Sequence, residues 1–313
     1  MSEITPTPST EVDGKKDSIV LAMLKGLRPT QWVKNVFLLA ALFFSLEFTN
    51  LESVIKAAWG IGAFCLVSST GYLINDVLDR EADAKHPRKR KRPIASGALP
   101  VPVAWVEATF CFAGGLTAAW LLDPMFFAVA LVYFLNTMLY TLWGKQQVIL
   151  DIMMISLGFL FRAVAGAVAI GVWISPWLIL CAGFFALFLG FNKRRGELSV
   201  LSEKAGEHRQ ILREYTTSML DEFQAITSSG TIISYALYTV LGSPNPLLVV
   251  TVPFPLYGVF RYIYLVQSGE DGDPSHLVLK DKLIMLTGVL YGIVLVGILL
   301  FAGEPLGPGR WTP

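Results

Sequence analysis

The apolar residues of this chain fall in blocks, and the blocks are long enough to cross a bilayer. They lie near residues 33–50, 55–75, 103–122, 125–143, 148–171, 175–192, 226–242, 247–267 and 283–302. In hydrocarbon every backbone N–H and C=O must find a partner within its own segment, so blocks of this length predict helices. The expected fold is an all-α membrane bundle of about nine transmembrane helices. With 54% hydrophobic and 16% charged residues, the composition excludes an ordinary water-soluble domain. The expected surroundings are a lipid bilayer, and no nucleic-acid partner is expected.

The charges are unevenly distributed. With the N-terminus on the cytoplasmic side, that side receives the N-terminal segment and the connections near 76–102, 144–147, 193–225 and 268–282, which hold nearly all the Lys and Arg. The opposite connections, near 51–54, 123–124, 172–174 and 243–246, hold none. The excess of positive charge on cytoplasmic loops sets the orientation, predicting a multi-pass protein of the plasma (inner) membrane with its N-terminus and its polar clusters cytoplasmic.

The densest polar cluster is residues 75–97, NDVLDREADAKHPRKRKRPIASG. Asn75, Asp79 and Asp83 are four apart, and Asp76, Asp79 and Asp83 fall at i, i+3 and i+7, so on a helix they share one face. Carboxylates crowded on one face repel each other unless a cation lies between them. Mg²⁺ held by such a set usually keeps waters and binds substrate phosphates as well. The basic run Arg88–Arg92 follows at once. Acids that hold a metal beside bases that hold phosphate point to chemistry on a diphosphate. The plain alternative is a solvated loop that only sets orientation, but such a loop needs neither acids at helical spacing nor the stretch Arg92-Pro93-Ile94-Ala95-Ser96-Gly97 behind them.

Other polar residues sit where they cost most. Arg28, Gln31, Lys34 and Asn35 crowd the mouth of the first span, either binding or merely snorkelling, and Trp32 suits the headgroup level. Lys145 is the sole charge after span four. Asp151 and Arg162 lie inside span five, where an ionisable side chain marks function by default. At a separation of about 16 Å along a helix they are too far apart to pair. Gly158, Gly166 and Gly171 thin that helix and let neighbours approach. Residues 1–17 read as a disordered tail, 18–32 as an interfacial segment, 18–302 as one catalytic membrane domain, and 303–313 as an outer tail. The polar stretch 203–225 reads as a helical cytoplasmic cap, and Asp271 and Asp273 sit in a Gly-rich loop. Cys65, Cys111 and Cys181 sit in apolar spans without metal-ligand spacing, as small core residues. His86, His208 and His276 share no motif.

The spans together with the NDxxDxxxD motif after span two resemble the UbiA superfamily of intramembrane prenyltransferases. RPTQWVKN, YLINDVLDREAD, KRKRPIASG, NKRRGEL and GDPSHLVLKD further resemble the decaprenyl-phosphate phosphoribosyltransferase branch of that superfamily, over about residues 20–302. The resemblance implies Mg²⁺-dependent transfer of a phosphoribosyl group from 5-phosphoribosyl diphosphate to a polyprenyl phosphate, with diphosphate released. Asp76, Asp79 and Asp83 would hold the metal. Lys34, Lys145, Arg162, Lys193 and Arg194 would bind phosphate, and Tyr140 would contact a phosphate or the ribosyl cation. Arg28, Gln31, Asn35, Asn75 and Arg92 complete the expected substrate-binding set. One departure bears on the choice within the superfamily. Aromatic prenyltransferases usually carry a second acidic cluster after span six, whereas this chain has Asn192-Lys193-Arg194-Arg195. The alternatives are a prenyltransferase acting on an aromatic acceptor, and a transporter or lipid carrier whose loops only set topology. Association between copies of the chain is left open by the sequence.

Overall fold

The computed structural model describes residues 18–87, 89–201, 210–243, 245–270, 277–278 and 280–301. The expected tails 1–17 and 303–313, Arg88, His208, Asp271, Asp273 and His276 lie outside the described residues.

Among the described residues the fold is all-helical. A short helix α1 (Ile19–Gly26) begins at Ser18, whose hydroxyl accepts from the Leu21 N–H. The long helices that follow are α3 (Leu51–Leu78), continued by α4 (Arg80–Lys85), α5 (Val101–Leu122), α6 (Pro124–Leu142), α7 (Leu150–Ile170), α8 (Pro176–Leu201), α9 (Thr217–Leu237), α10 (Pro253–Gln267) and α11 (Lys282–Phe301). Sequential helices run antiparallel. Trp59 reaches the Ala118 carbonyl at one end of the α3–α5 contact and Thr70 the Ala108 carbonyl nearer the other. Short connections are capped locally: the Asp123 carboxylate accepts from the N–H groups of Met125 and Phe126, and Pro124 needs no N–H at the first helical position.

Among the described residues, seven segments are long and apolar enough to cross a membrane, by length and composition alone. The other two expected spans are present in altered form. Residues 29–49 run the whole length of α3, with Arg28 on Asp76 at one end and Glu47 on Ser53 at the other. They do so as a 3₁₀ segment (Pro29–Leu38) followed by a short helix, α2 (Leu39–Phe44), rather than as one α-helix. The stretch expected at 226–242 belongs to α9 and a π-helical extension, Tyr238–Gly242. It packs beside α8 and is less apolar than the seven, carrying Asp221, Glu222 and Gln224 as well as several Ser and Thr. Thr227 and Thr231 turn their hydroxyls back onto their own helix, to the Phe223 and Thr227 carbonyls.

Helix α3 is the axis of the bundle: 61% of its apolar stretch is buried, against 6% for the peripheral α11. A core of Phe64, Phe126, Tyr133, Leu38, Ala130 and Ala165 joins α3, α6, α7 and the broken crossing. Gly166 is required there, since a Cβ at that position would strike the Leu38 carbonyl oxygen. The small residue lets α7 support a crossing that has too few α-helical turns to stand alone. The alternation of directions gathers the ends of α3, α6, α8 and α10 and the starts of α5, α7, α9 and α11 at one end of the molecule. That end carries the charged side chains discussed below.

Candidate active site

The acidic face forms as its spacing requires. The N–H of Asp79 bonds the Asn75 carbonyl and the N–H of Asp83 bonds the Asp79 carbonyl, so the helical ladder passes through the slight break at Asp79. Asp76 and Asp83 are buried, and Asp79 is partly exposed.

Each carboxylate is met by a cation brought from elsewhere in the chain. Arg28 Nη2 donates to Asp76 Oδ1 at 2.5 Å. Arg92 Nη1 bridges Asp76 Oδ1 at 3.0 Å and Asp83 Oδ2 at 2.5 Å. Lys89 lies 3.8 Å from Asp83, and Lys145 Nζ donates to Asp79 Oδ1 at 2.6 Å. Local folding explains why these cations point inward. Arg28 has a left-handed backbone, φ 53°, immediately before Pro29, and its guanidinium lies over the Tyr72 ring with its Cζ 5.2 Å from the centroid. The preceding turn is tied down by Ser69, whose hydroxyl donates to the Leu27 carbonyl and accepts from Trp32 Nε1. Trp32 is thus half-buried against α3 rather than simply standing at the headgroup level. Arg92 is set by the turn behind it: Ile94 and Leu99 are buried with Ala22, Leu73, Ala104 and Ala108, and Gly97 supplies a positive φ of 79°. The basic run is therefore anchored by an apolar plug.

A second, drier group lies a few residues away. Asp151, fully buried at the start of α7, accepts two bonds on Oδ2 from Arg194, Nε at 3.2 Å and Nη2 at 3.1 Å, and one on Oδ1 from the Tyr215 hydroxyl at 2.8 Å. Arg194 Nη1 also donates to Glu197 at 2.8 Å. Behind it Asn192, Gln224 and Gln267 form a chain of side-chain amide bonds linking α8, α9 and α10. Burial pushes the Tyr215 phenol above its ordinary value, and the neighbouring Asp151 carboxylate adds to the effect.

Arg162 stands apart from both groups. It is buried in α7, and its guanidinium donates to Asn35 Oδ1 at 2.8 Å, to the Gly158 carbonyl at 2.8 Å and to the Tyr133 hydroxyl at 2.7 Å. Asn35 in turn donates to Cys65 on α3. Cys65 and Asp76 are eleven residues apart on α3, so this knot lies about 16 Å deeper than the acidic face. Asp151 and Arg162 do not pair with each other, and the side-chain partners of each come from other elements.

The expected site residues thus separate. Arg28, Asp76, Asp83 and Arg92 form one network, with Asp79 and Lys145 adjoining it. Asn75 precedes Asp79 by one turn. Gln31 and Lys34 lie half-buried on the 3₁₀ segment below Arg28. Tyr140 is half-buried in the last turn of α6, within electrostatic reach of Arg194, and Lys193 is half-buried beside it on α8. Asn35 with Arg162, and Arg194 with Asp151, are engaged inside the protein. Sequence reading passed over Tyr215, Tyr133 and Tyr72. Only contacts across the fold give them roles, and no local pattern marks them. Cys65, Cys111 and Cys181 are free thiols.

The donor set suits a divalent ion completed by substrate oxygens. One guanidinium nitrogen already touches both Asp76 and Asp83, so a single cationic position is shared between the two carboxylates. Among the described residues no three His, Cys, Asp or Glu side chains converge closely enough to hold a metal unaided.

An all-helical membrane bundle with an acidic motif at the end of its axial helix defines a class of intramembrane transferases. The profile of the UbiA prenyltransferase family matches residues 35–286, and the chain belongs to that family. It is 33% identical over 309 residues to the decaprenyl-phosphate phosphoribosyltransferase of Corynebacterium glutamicum, covering 94% of this chain and 93% of that protein. It is 32% identical over 281 residues to the enzyme of the same name from Mycobacterium tuberculosis, covering 88% and 93%. A UbiA homologue from Archaeoglobus fulgidus, solved with GPP and Mg²⁺ bound, superposes with a TM-score of 0.67 at 20% identity, over 88% of this chain and 99% of that one. That likeness is one of fold.

Proposed function

We propose that this chain transfers the 5-phosphoribosyl group of 5-phosphoribosyl diphosphate to a polyprenyl phosphate and releases diphosphate. Likeness to decaprenyl-phosphate phosphoribosyltransferases along almost their whole length supports decaprenyl phosphate as the acceptor. The geometric observation that carries the reading is the cation count at the acidic face. Asp76, Asp79 and Asp83 are met by Arg28, Lys89, Arg92 and Lys145, more positive charges than negative ones even before a metal is added. Such a surplus suits a substrate pair carrying a diphosphate and two further phosphates. An aromatic acceptor would need less of it, and the end of α8 is cationic as well.

The lipid phosphate is largely ionised at neutral pH and needs no strong general base. Its oxygen attacks the anomeric carbon as the bond to the diphosphate oxygen breaks, and the electron pair leaves with the diphosphate. Asp76, Asp79 and Asp83 would hold Mg²⁺, which neutralises charge developing on the leaving group. Arg28, Arg92 and Lys145, now paired with those carboxylates, are placed to turn to phosphate oxygens. Lys34 and Lys193 are the further phosphate-binding candidates, with Gln31 and Asn75 as neighbouring polar contacts. Tyr140 would face the ribosyl centre. Arg162 with Asn35, and Arg194 with Asp151, would hold the elements that carry these groups. Charge placement and orientation supply the rate.

The site would face the cytoplasm in the plasma (inner) membrane, as the basic connections at its end of the bundle favour. Residues 18–302 would act as one catalytic unit. Purified protein given Mg²⁺, polyprenyl phosphate and labelled 5-phosphoribosyl diphosphate should yield labelled lipid, and EDTA should stop the reaction reversibly. Transfer of a prenyl group from its diphosphate to a hydroxybenzoate, with no reaction on 5-phosphoribosyl diphosphate, would defeat the reading.

A further inference from the structure

The α6–α7 connection contains a backbone conformation that its sequence does not favour. Ile149 has φ 71° and ψ −49°, and the Leu150 N–H bonds the Val148 carbonyl at 2.8 Å. These features define a γ-turn of the strained hand, with a β-branched residue at its centre. A residue so placed persists only where its surroundings over-determine it.

Backbone bonds from the Asp151 N–H to the Gln147 carbonyl and from the Met153 N–H to the Ile149 carbonyl hold the connection locally, and one side chain from a distant segment adds to them. The Ile149 N–H donates to the Tyr215 hydroxyl oxygen at 2.7 Å, and that hydroxyl donates its own proton to Asp151 Oδ1. Burial keeps the phenol protonated, so both bonds are available together. Tyr215 is fixed in turn, buried with Ile152, Phe191, Ile211 and Leu220, while Arg194 holds the other oxygen of Asp151. The segment Gln210–Glu214 lies against the 3₁₀ turn Gly144–Gln146. That turn is pressed onto α7, because a Cβ on Gly144 would meet Met154 Sδ. The turn carries Lys145, which reaches Asp79 at 2.6 Å. If Ile149 relaxed to a negative φ, the direction in which residues 144–148 leave α7 would change, and Lys145 would move with them.

We infer that Tyr215 is a positioning residue: by accepting the Ile149 N–H it holds the strained turn that aims Lys145 at the diphosphate-binding face. It acts through Lys145 and does not itself touch substrate. The inference deepens the phosphoribosyl-transfer reading and rests on it for the identity of the substrate.

The test is Tyr215→Phe, which keeps the ring and deletes the hydroxyl. The KM for 5-phosphoribosyl diphosphate should rise about fivefold to twentyfold, with that for polyprenyl phosphate unchanged. Adding Ile149→Gly should restore most of the loss, because glycine adopts this φ without steric cost. A tyrosine that served packing alone would give no recovery, since relieving the backbone at residue 149 would not repair a packing defect at residue 215. An unchanged KM in Tyr215→Phe, or no recovery in the double variant, overturns the inference. Hydrogen exchange in the wild type decides independently of whether any variant folds. The Ile149 amide should be protected although it precedes the first hydrogen-bonded turn of α7, and exchange at the rate of a free amide would overturn the inference. If the wild type fails to transfer phosphoribosyl at all, the functional reading falls. Loss of the Ile149 amide protection in Tyr215→Phe would still support the inference, because the substitution removes the acceptor, and retained protection would overturn it.

Discussion

Asp151 and Arg194 meet with 0% and 3% of their side chains exposed, whereas Asp79 and Lys145, at the same end of the bundle, meet with 30% and 23% exposed. The chemistry of the two pairs is the same and their consequences differ. In the first, both oxygens of Asp151 are taken, and Arg194 has Glu197 as a second partner. Removing Arg194 would leave the Asp151 charge with neither water nor a counter-ion. In the second, water reaches both groups, so either can exchange its partner for a phosphate or a metal ion at little cost. Burial separates a pair that holds the fold from a pair available for chemistry.

Arg194→Ala is expected to have the largest effect. It strands Asp151 in the dry group and should lower unfolding stability by about 3–5 kcal/mol, read by denaturant or thermal unfolding in detergent. Replacing Asp151 and Arg194 together with apolar residues should recover much of that loss. If Arg194→Ala unfolded like the wild type and instead raised the KM for a phosphorylated substrate, the distinction between the two pairs would collapse, and Arg194 would be a ligand-binding residue.

Asp79→Asn probes the other side of the comparison. It removes one charge from the acidic face where solvent can compensate, so unfolding should be unchanged within about 0.5 kcal/mol. Activity should fall about a hundredfold or more through the lost electrostatic contribution. Wild-type turnover in the presence of Mg²⁺ would remove the acidic face from the mechanism.

Lys193 sharpens the contrast within a single helical turn, since it adjoins Arg194 on α8 but remains half-buried. Lys193→Ala should leave unfolding unchanged and weaken binding of a phosphorylated substrate by roughly 1.5–3 kcal/mol, read as a rise in KM. Altered membrane yield with wild-type kinetics would mean that Lys193 only anchors α8 at the headgroups.

The residues of the acidic face were legible from sequence because their arrangement is local. Spacing along one helix places Asp76, Asp79 and Asp83, and the basic run lies close enough to meet them. The apolar blocks were legible for the same reason, although block length could not show that residues 29–49 cross as a broken 3₁₀ and α segment. At that break Leu38 packs closely on Gly166 of α7, a contact between residues far apart in sequence. The partners of the buried charges were hidden for the same reason. Arg194 and Asp151 are 43 positions apart, and Arg162 and Asn35 are 127 apart. Sequence could exclude a direct Asp151–Arg162 pair by helix geometry but could not supply the alternatives. Tyr215 left no local signal at all, because its role depends on a backbone angle in another connection.

The same dependence on exposure predicts a small effect at a third pair, Arg261 and Asp281, which is partly exposed at the rim of the same end. Arg261 Nη2 donates to Asp281 Oδ2 at 2.8 Å, and Asp281 Oδ1 caps α11 by accepting from the N–H groups of Leu283 and Ile284. The guanidinium, chiefly through this hydrogen bond, holds the Asp281 carboxyl below its ordinary value. A depressed carboxyl pKa contributes stability that is fully present above the unfolded-state value, about 3.9 for Asp, and is lost as pH falls through the lower folded-state value. Asp281→Asn isolates the ion pair, because Asn caps a helix nearly as well and lacks only the charge. Wild type should melt slightly higher than the variant at pH 7 by a margin that stays constant down to about pH 4, shrinks below it, and is reduced by added salt. The margin should be far below the loss in Arg194→Ala, because solvent reaches this pair and does not reach the buried one. A margin that grew on acidification would reverse the sign of the coupling, and one as large as that of Arg194→Ala would break the relation between exposure and energy on which the comparison rests.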